Sequence, residues 1–251
     1  MQTSVTPDRP DWPAIRTAGV DGFVISFADR LDEPANRAAL AFRAAVDRAG
    51  WSGVEETATS LVSTYLRFDL RAADHAVMRK RIAALIAERD WYAAPLPGGR
   101  RRWTVPAVFG TDLAPQLDEA ASLAGLTPAA AVAALTARPL RVQAIGFAPG
   151  QPYLGQLPPE WDLPRQSVLT DRVPEGALVV AIRQVVLFSV GSPTGWRHVG
   201  QAALRLFRPE AAEPFVLRPG DEVHFRAVGR QELERMRAAG DDGGAVAEVL
   251  G

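Results

Sequence analysis

Residues 145–165 read IGFAPGQPYLGQLPPEWDLPR, with five prolines and three glycines in this one stretch. Proline lacks a backbone N–H donor and glycine readily adopts left-handed backbone, so the stretch is predicted to form neither a helix nor a central strand. It indicates a shaped loop that presents the rings of Phe147, Tyr153 and Trp161. Such a loop is equally suited to lining a recognition site and to packing its rings into the core.

The residues around this loop predict a β-barrel. Runs with high β propensity recur between turn signals at residues 142–147, 178–181, 185–190, 196–202, 204–207 and 222–228. Their spacing favours a closed or nearly closed barrel. Ahead of them, residues 103–108 have strand character and residues 112–124 a helical pattern. A further helix is predicted to begin at Pro128, with Thr127 as its N-cap, and to end near Thr136.

The first part of the chain has a different pattern. A predicted strand at residues 22–27 precedes helical spacing over residues 32–49, which Gly50 ends. A second predicted strand at residues 60–68 precedes a helical pattern over residues 73–88. This β-α-β-α order predicts a small α/β sandwich.

The domain limits follow from where the two patterns meet. Residues 94–102 are rich in proline and glycine and are predicted to be a polar hinge, with their arginine run as a solvated linker. We therefore expect an α+β chain whose N-terminal α/β domain covers residues 14–93. A C-terminal barrel domain follows at residues 103–229, with leading helices at residues 112–136. Residues 230–251 are expected to form a short helix and a loose tail.

The composition excludes several function classes. The chain has 251 residues, a formal net charge of −1 and no cysteine, which excludes disulfides, thiolate metal sites and a cysteine nucleophile. A charge this small predicts no nucleic-acid or membrane partner. The residues up to Pro13 lack the basic and apolar segments of a signal peptide, so we expect a cytoplasmic location. The single lysine, Lys80, is expected on an exposed helix face.

Common catalytic motifs are absent from the sequence. No phosphate-binding loop, dinucleotide fingerprint or zinc-protease motif occurs, and the three histidines show no metal-ligand spacing. Asp112 and Asp118 are interpreted as charges at a helix start, and Asp221 as a turn former. A catalytic triad of Ser192, His198 and Asp221 is disfavoured, because no nucleophile motif surrounds the serine.

Two arginines flank the proline-rich loop. Arg165 and Arg172 could each hold a carboxylate or a phosphate through paired donors. The alternative, an ion pair that fixes the loop, is equally compatible with the sequence.

Several short motifs occur in a fixed order along the chain. They are Gly146-Phe147-Ala148-Pro149-Gly150, Pro152-Tyr153-Leu154-Gly155, Leu163-Pro164-Arg165, Arg172-Val173-Pro174-Glu175-Gly176, Ser192-Pro193-Thr194-Gly195-Trp196 and Leu217-Arg218-Pro219-Gly220-Asp221. This order resembles the family of 5-oxoprolinase B subunits, which includes the kinase inhibitor KipI and proteins labelled allophanate hydrolase subunit 1. That family corresponds to subdomains C and D of a carboxyltransferase domain. The resemblance runs from about Gly19 to Val228.

The resemblance implies a fold, an activity and partners. The barrel would be cyclophilin-like, and the chain would be one subunit of an ATP-dependent 5-oxoprolinase, which opens the lactam of 5-oxoproline to glutamate. Its partners would be the C-type subunit of 5-oxoprolinase, itself a carboxyltransferase-type chain, and a LamB/YcsF-like A-type subunit. ATP would bind at a shared subunit interface, and neither a metal nor an attached biotin is expected.

The motifs also predict substrate-binding residues, although no catalytic residue is assigned. The predicted set is Phe147, Pro149, Tyr153, Arg165, Arg172, Gln184, Ser192, Trp196 and Gln201. We expect Phe147, Tyr153, Arg165, Gln184 and Trp196 to line one concave surface of the barrel.

The sequence departs from the family pattern near these residues. Ile182, Val185 and Val186 stand where the family has Gly, Thr and Gly, and Gln201 stands for an Arg. Gln151 replaces a Phe and Gly191 a Glu. We expect these changes to cluster in the pocket and to narrow it. They favour two alternatives: a regulatory protein that inhibits a histidine kinase, as KipI does, and an amidolyase subunit of allophanate or urea type.

Overall fold

The computed structural model describes residues 11–250 and divides the chain into two compact units, Met1–Pro97 and Gly98–Gly251. The expectation of no signal peptide was based on the residues up to Pro13. Of these, residues 1–10 lie outside the described residues. Among the described residues, no single helix is long and apolar enough to cross a bilayer, and only two short helices bent by 89° reach that length together.

The N-terminal unit is an antiparallel four-stranded sheet with two helices. The elements are β1 (Ala14–Ala18), β2 (Gly22–Ser26), α1 (Glu33–Ala49), β3 (Val54–Ser60), β4 (Ser63–Phe68), α2 (His75–Ala87) and a 3-10 turn (Trp91–Ala93). The strands lie in the order β1-β2-β4-β3. The side chain of Asp32 accepts a hydrogen bond from Ala35 N at the start of α1, and Gly50 ends that helix with a φ of 55°. Phe27, Phe42 and Trp91 form part of the core of this unit.

The predicted β-α-β-α order of this unit is wrong in its strand count. The chain runs β-β-α twice, because a hairpin stands where each single strand was predicted. The predicted strand at residues 60–68 begins at the end of β3, turns at Leu61, and continues as β4. The sequence of β3, VEETATS, hid this strand because its polar residues give no apolar alternation.

The C-terminal unit is built on a closed seven-stranded barrel. The elements are β5 (Arg101–Phe109), α3 (Leu117–Leu123), α4 (Pro128–Thr136), β6 (Leu140–Ile145), β7 (Pro152–Gly155), a 3-10 turn (Pro159–Trp161), β8 (Thr170–Val173), β9 (Ala177–Ala181), β10 (Gln184–Leu187), β11 (Ser192–Thr194), β12 (Arg197–Ala202), β13 (Glu222–Ala227), α5 (Arg230–Ala239) and β14 (Val246–Val249). The barrel strands follow the order β12-β9-β10-β7-β6-β13-β5, and pairing of β12 with β5 closes the ring. β14 adds to β5 outside the ring, and β8 pairs with β11 in a separate ribbon.

Side chains of the barrel strands alternate between two cores. On β9, Leu178 and Val180 point into the main core, which also holds Trp161 of the proline-rich stretch. The alternate residues Val179 and Ala181 belong to a smaller cluster with Val186, Phe188 and Trp196 on the outer face. The period of two along each strand therefore gives the barrel an apolar outer face on which a pocket is built.

Four predictions for this unit need correction. Residues 145–165 are not all loop, because Pro152 starts and Gly155 ends β7 between β6 and β10. A short strand tolerates proline at its first position. Residues 204–207 form only an isolated bridge from Phe207 to Phe215, and α3 starts at Leu117, not at Asp112. The expected loose tail contains β14, which pairs with β5.

The arginine run is also not a solvated linker. Arg101 and Arg102 lie in β5 and form ion pairs with Asp221 and Glu222, at 2.8 Å in each case. Asp221 is buried and also accepts a hydrogen bond from Arg101 N, so it connects two chain segments besides forming a turn. Asp112 pairs with Arg230 at 2.8 Å, and this contact lowers the pKa of its carboxyl.

Candidate functional site

Two cavities of the C-terminal unit contain predicted site residues. The first, which we call the aromatic pocket, has a volume of about 360 Å³ and is lined by Phe147, Gln151, Tyr153, Arg165, Gln166, Leu169, Val186, Phe188, Pro193, Thr194, Gly195 and Trp196. The second, which we call the polar groove, measures about 860 Å³. Its lining includes Asp112, Leu113, Pro115, Gln116, Thr170, Arg172, Glu175, His198, Gln201, Leu204, Arg205, Arg237 and Asp241.

The aromatic pocket has a wall of rings with one cation above it. Tyr153 of β7 meets Trp196 edge-on, with ring centroids 6.1 Å apart. The guanidinium carbon of Arg165 lies 5.6 Å from the centroid of the Trp196 ring. Arg165 is exposed and forms no ion pair with the described residues, so its donors are available to an anion. Phe147 stands at the rim, 72% exposed, with a φ of 70°.

A buried amide supplies polar chemistry to this pocket. Gln151 is 1% exposed, and its Oε1 accepts a hydrogen bond from Ser189 N at 3.4 Å. Among the described residues, the Gln151 Nε2 donors have no hydrogen-bond acceptor. The pocket can therefore donate to a ligand carbonyl or carboxylate from within an apolar wall.

Hydrogen bonds fix the loop that carries Arg165. Gln166 N donates to Gly195 O at 2.7 Å, and Gln166 Nε2 donates to Trp196 O at 3.1 Å. The buried Arg197 donates to Pro164 O at 2.7 Å and pairs with Glu119. These bonds hold the loop against the start of β12, so the cation and the rings keep a defined geometry.

The structure separates the predicted site residues into three groups. Phe147, Tyr153, Arg165 and Trp196 line the aromatic pocket, whereas Arg172 and Gln201 line the polar groove. The remaining predicted residues line neither cavity: Pro149 is exposed, Gln184 is buried and donates to Gln143 Oε1, and Ser192 donates to the carbonyl of Pro193. Gln184 is thus a structural residue of the barrel, and the expectation that it shares the concave surface is wrong.

The departures from the family pattern do not cluster in one pocket. Ile182 lies at the exposed tip of the β9–β10 hairpin with a φ of 43°, and Val185 is buried in the barrel core. Val186 and Gln151 line the aromatic pocket, and Gln201 lines the polar groove. Gln151 stands for the larger Phe, so among these departures the expected narrowing of the aromatic pocket rests on Val186.

The floor of the polar groove is formed by β12. His198 and Gln201 are both buried. Burial lowers the pKa of His198, whereas hydrogen bonds to the Gly200 backbone and the Gln201 side chain raise it by less. The His198 imidazole is therefore neutral near pH 7. Gln201 Nε2 donates to the carbonyl oxygens of Glu175 and Ala202.

The residues of the disfavoured triad do not come together. Asp221 is held by Arg101, and Ser192 lies outside the groove that His198 lines. His224 Nε2 contacts Thr136 O, and within residues 11–250 no group of three histidine or acidic side chains could hold a metal ion.

Sequence reasoning missed the glutamines that organise the site. Gln116 Oε1 accepts from His198 N, and Gln116 Nε2 donates to Gln166 Oε1 at 2.7 Å. Gln166 in turn donates to Thr170 Oγ1, so this chain of bonds runs between the two cavities. Gln116 and Gln166 lie in none of the motifs, whereas Gln151, Gln184 and Gln201 stood out through comparison with the family pattern.

The family assignment agrees with this architecture. The family model "Carboxyltransferase domain, subdomain C and D" matches residues 13–217, which is most of the chain. The chain belongs to this carboxyltransferase-domain family. A Bacillus subtilis (strain 168) protein named as the B subunit of 5-oxoprolinase is 25% identical over 228 residues, which cover 87% of this chain and 94% of that protein. An Escherichia coli O157:H7 protein of the same name is 36% identical over 48% of this chain and 56% of its own length.

Two solved structures share the fold. A structure of TTHA0988 has a TM-score of 0.69 and 30% identity, and the match covers 86% of this chain but only 40% of that chain. The Kluyveromyces lactis urea amidolyase has a TM-score of 0.69 at 17% identity, with 94% of this chain and 16% of that chain covered. The same fold thus occurs as part of longer proteins.

Proposed function

We propose that this chain is the B subunit of an ATP-dependent 5-oxoprolinase, which opens the lactam of 5-oxoproline to glutamate. The observation that carries the proposal is the similarity to the Bacillus subtilis 5-oxoprolinase B subunit along 94% of that protein. The family match over residues 13–217 is consistent with the proposal, because it gives the chain the same kind of domain.

The aromatic pocket suits such a substrate. 5-Oxoproline is a small five-membered lactam with one carboxylate. Tyr153 and Trp196 offer an apolar wall for the ring, and the unpaired guanidinium of Arg165 offers paired donors to the carboxylate. The free amide donors of Gln151 would then face the lactam carbonyl. A volume of about 360 Å³ accommodates this ligand.

The reaction needs more than these residues. ATP can activate an amide by transferring its γ-phosphoryl group to the lactam oxygen, with ADP leaving. Water then adds to the former lactam carbonyl carbon and the ring C–N bond breaks, which leaves a γ-glutamyl phosphate. A second water hydrolyses this acyl phosphate to glutamate and inorganic phosphate. The Gln151 donors would stabilise negative charge on the lactam oxygen. Because the chain lacks a phosphate-binding loop, we assign the transfer step to a site shared with companion chains.

The partners in this proposal are the carboxyltransferase-type C-type subunit and a LamB/YcsF-like A-type subunit. The test is to measure glutamate formation from 5-oxoproline and ATP with the chain alone and with both companions. We expect turnover only in the complete mixture, and none without ATP. Turnover by the isolated chain would contradict the proposal, as would an inert complete mixture.

A second candidate function has one observation in its favour. Val186, whose side chain lines the aromatic pocket, takes the place of a glycine in the family pattern and reduces the space beside Tyr153. This would suit an amide-opening subunit whose substrate is flatter or smaller than 5-oxoproline, as in allophanate or urea chemistry. If the complete mixture is inert but Val186→Gly restores 5-oxoproline turnover, this second function replaces the first.

A further inference from the structure

The loop that carries Arg165 has one half-buried residue. Within residues 164–169, Gln166 is half-buried and lines the aromatic pocket, whereas the other residues of the loop are exposed. An exposed loop keeps one conformation only where specific contacts fix it. The place of Arg165 therefore depends on how its neighbour Gln166 is bound.

The side-chain amide of Gln166 is fully hydrogen-bonded. Its Oε1 accepts from Gln116 Nε2 at 2.7 Å, and its Nε2 donates to Trp196 O at 3.1 Å and to Thr170 Oγ1 at 3.3 Å. The backbone N of Gln166 also donates to Gly195 O, at 2.7 Å. Main chain and side chain thus both bind the segment that carries the Trp196 ring.

Two backbone groups determine which way the two amides point. The backbone N of His198 can only donate, so Gln116 Oε1 faces it at 2.9 Å and Gln116 Nε2 faces Gln166. At the other end, Trp196 O can only accept, so it requires the Nε2 of Gln166. The bonds from His198 N to Trp196 O therefore have a single consistent orientation, which a side chain without an amide at position 166 would break.

Arg165 is held through its neighbours on both sides. Pro164 O accepts a hydrogen bond from the buried Arg197 at 2.7 Å, and Gln166 binds Trp196 O. Arg165 itself forms no hydrogen bond or ion pair with the described residues, and its guanidinium lies over the Trp196 ring. A cation–π contact alone is weak at an exposed site, so the two backbone attachments are what keep the guanidinium there.

We infer that Gln166 is a positioning residue, which holds the guanidinium of Arg165 over Trp196 where it can bind a carboxylate in the aromatic pocket. Gln116 acts in the same direction through Gln166, although it lines the polar groove and not the aromatic pocket. The identity of the carboxylate, that of 5-oxoproline, rests on the proposed function, whereas the placement of Arg165 does not.

The first experiment is NMR spectroscopy of the full chain alone, labelled with 15N, observing the arginine Nε–H signals. The Arg165 signal is the one that Arg165→Ala removes. The face of the Trp196 ring shifts a proton above it to lower frequency. Gln166→Met keeps the length of the side chain without its hydrogen bonds, so we expect the Arg165 signal to move towards that of exposed arginines.

Two further variants accompany this measurement. Gln116→Met should move the Arg165 signal in the same direction by less, because it removes only the bond to Gln166 Oε1. Gln231→Met is the matched control: Gln231 is exposed on α5 and lines neither cavity, so the signal should stay in place. If Gln166→Met does not fold, Gln116→Met decides by the same signal.

The second experiment is steady-state kinetics of the assembled mixture. Gln166→Met should raise KM for 5-oxoproline about two- to tenfold with little change in kcat, because the cation that binds the carboxylate loses its place. In an Arg165→Ala background the same substitution should change KM less than about twofold, because Gln166 acts through Arg165. A merely structural role would raise KM equally in both backgrounds.

Two results would overturn the inference: an Arg165 signal that stays in place in a folded Gln166→Met variant, or equal increases of KM in the two backgrounds. Circular dichroism of each variant should match that of the unmodified chain. The inference and the proposed function fail separately, because the NMR measurement needs neither 5-oxoproline nor companion chains. An inert complete mixture would contradict the proposed function and leave the NMR result to decide the inference.

Discussion

Arg165 lies over the indole ring of Trp196, with its guanidinium carbon 5.6 Å from the ring centroid. Because Arg165 has no carboxylate partner among the described residues, this ring contact is what orients an otherwise exposed cation. The pair therefore places a cation without an ion-pair partner beside the apolar wall of the aromatic pocket.

The first prediction concerns this pair. Trp196→Phe keeps an aromatic ring beside Tyr153 but weakens the cation–π contact with Arg165. A contact of this kind at an exposed site is worth about 0.5–1 kcal/mol. In the assembled enzyme we expect KM for 5-oxoproline to rise roughly two- to fivefold with little change in kcat. A fall in kcat at unchanged KM would show that Trp196 does not position Arg165 for binding.

The second prediction concerns Gly176, whose φ is 79°. A Cβ at this position would clash with Ala202 O and lie 2.7 Å from Gln201 Nε2. Gly176→Ala should therefore lower the free energy of unfolding by about 3 kcal/mol or more, from backbone strain and the clash together. Gly125→Ala is the control, because Gly125 has a φ of 69° and open space around it. Its cost should be about 1 kcal/mol, and equal losses would contradict the account.

The third prediction concerns the hairpin between β9 and β10. Ile182 and Arg183 both have positive φ values, 43° and 61°, in a two-residue turn that normally takes Asn or Gly. Ile182→Asn should stabilise the chain by about 1 kcal/mol, because the exposed isoleucine is strained there. Ile182→Val keeps the branched side chain and should give no gain. Thermal unfolding of both variants measures the difference.

The fourth prediction concerns pH. Burial lowers the pKa of His198 below the ordinary value of 6.5. As the pH falls below about 6.5, the unfolded chain binds a proton at this position that the folded chain does not, so stability decreases. Between about pH 8 and about pH 5.5, the loss of unfolding free energy should be smaller in His198→Gln than in the unmodified chain. Identical losses would show that His198 is not a buried neutral imidazole.

Periodicity and capping predicted much of the fold. Asp32 and Thr127 were recognised as helix starts, and the structure has both as N-caps with side-chain hydrogen bonds. The closed barrel followed from the spacing of apolar runs. Strands β1, β3 and β7 were missed for local reasons: polar residues in the first two, and proline and glycine at the ends of β7.

The site was less predictable. Rings and arginines in motifs identified Tyr153, Arg165 and Trp196, which the structure brings together in the aromatic pocket. The polar groove depends on burial and on hydrogen-bond partners: His198 and Gln201 are buried, and Gln116 Oε1 accepts a hydrogen bond from His198 N. Neither property can be read from a single sequence, because both depend on which strands of the barrel become neighbours.

The most direct test of the central claim, that the aromatic pocket binds the carboxylate of 5-oxoproline, is steady-state kinetics of the assembled enzyme with Arg165→Ala. The variant should lower kcat/KM for 5-oxoproline at least about tenfold, because a charge-assisted interaction is lost. Arg235→Ala, which removes another exposed arginine of the same unit, should stay within about twofold of the unmodified enzyme. Unchanged kcat/KM in Arg165→Ala, with the fold intact by circular dichroism, would contradict the account.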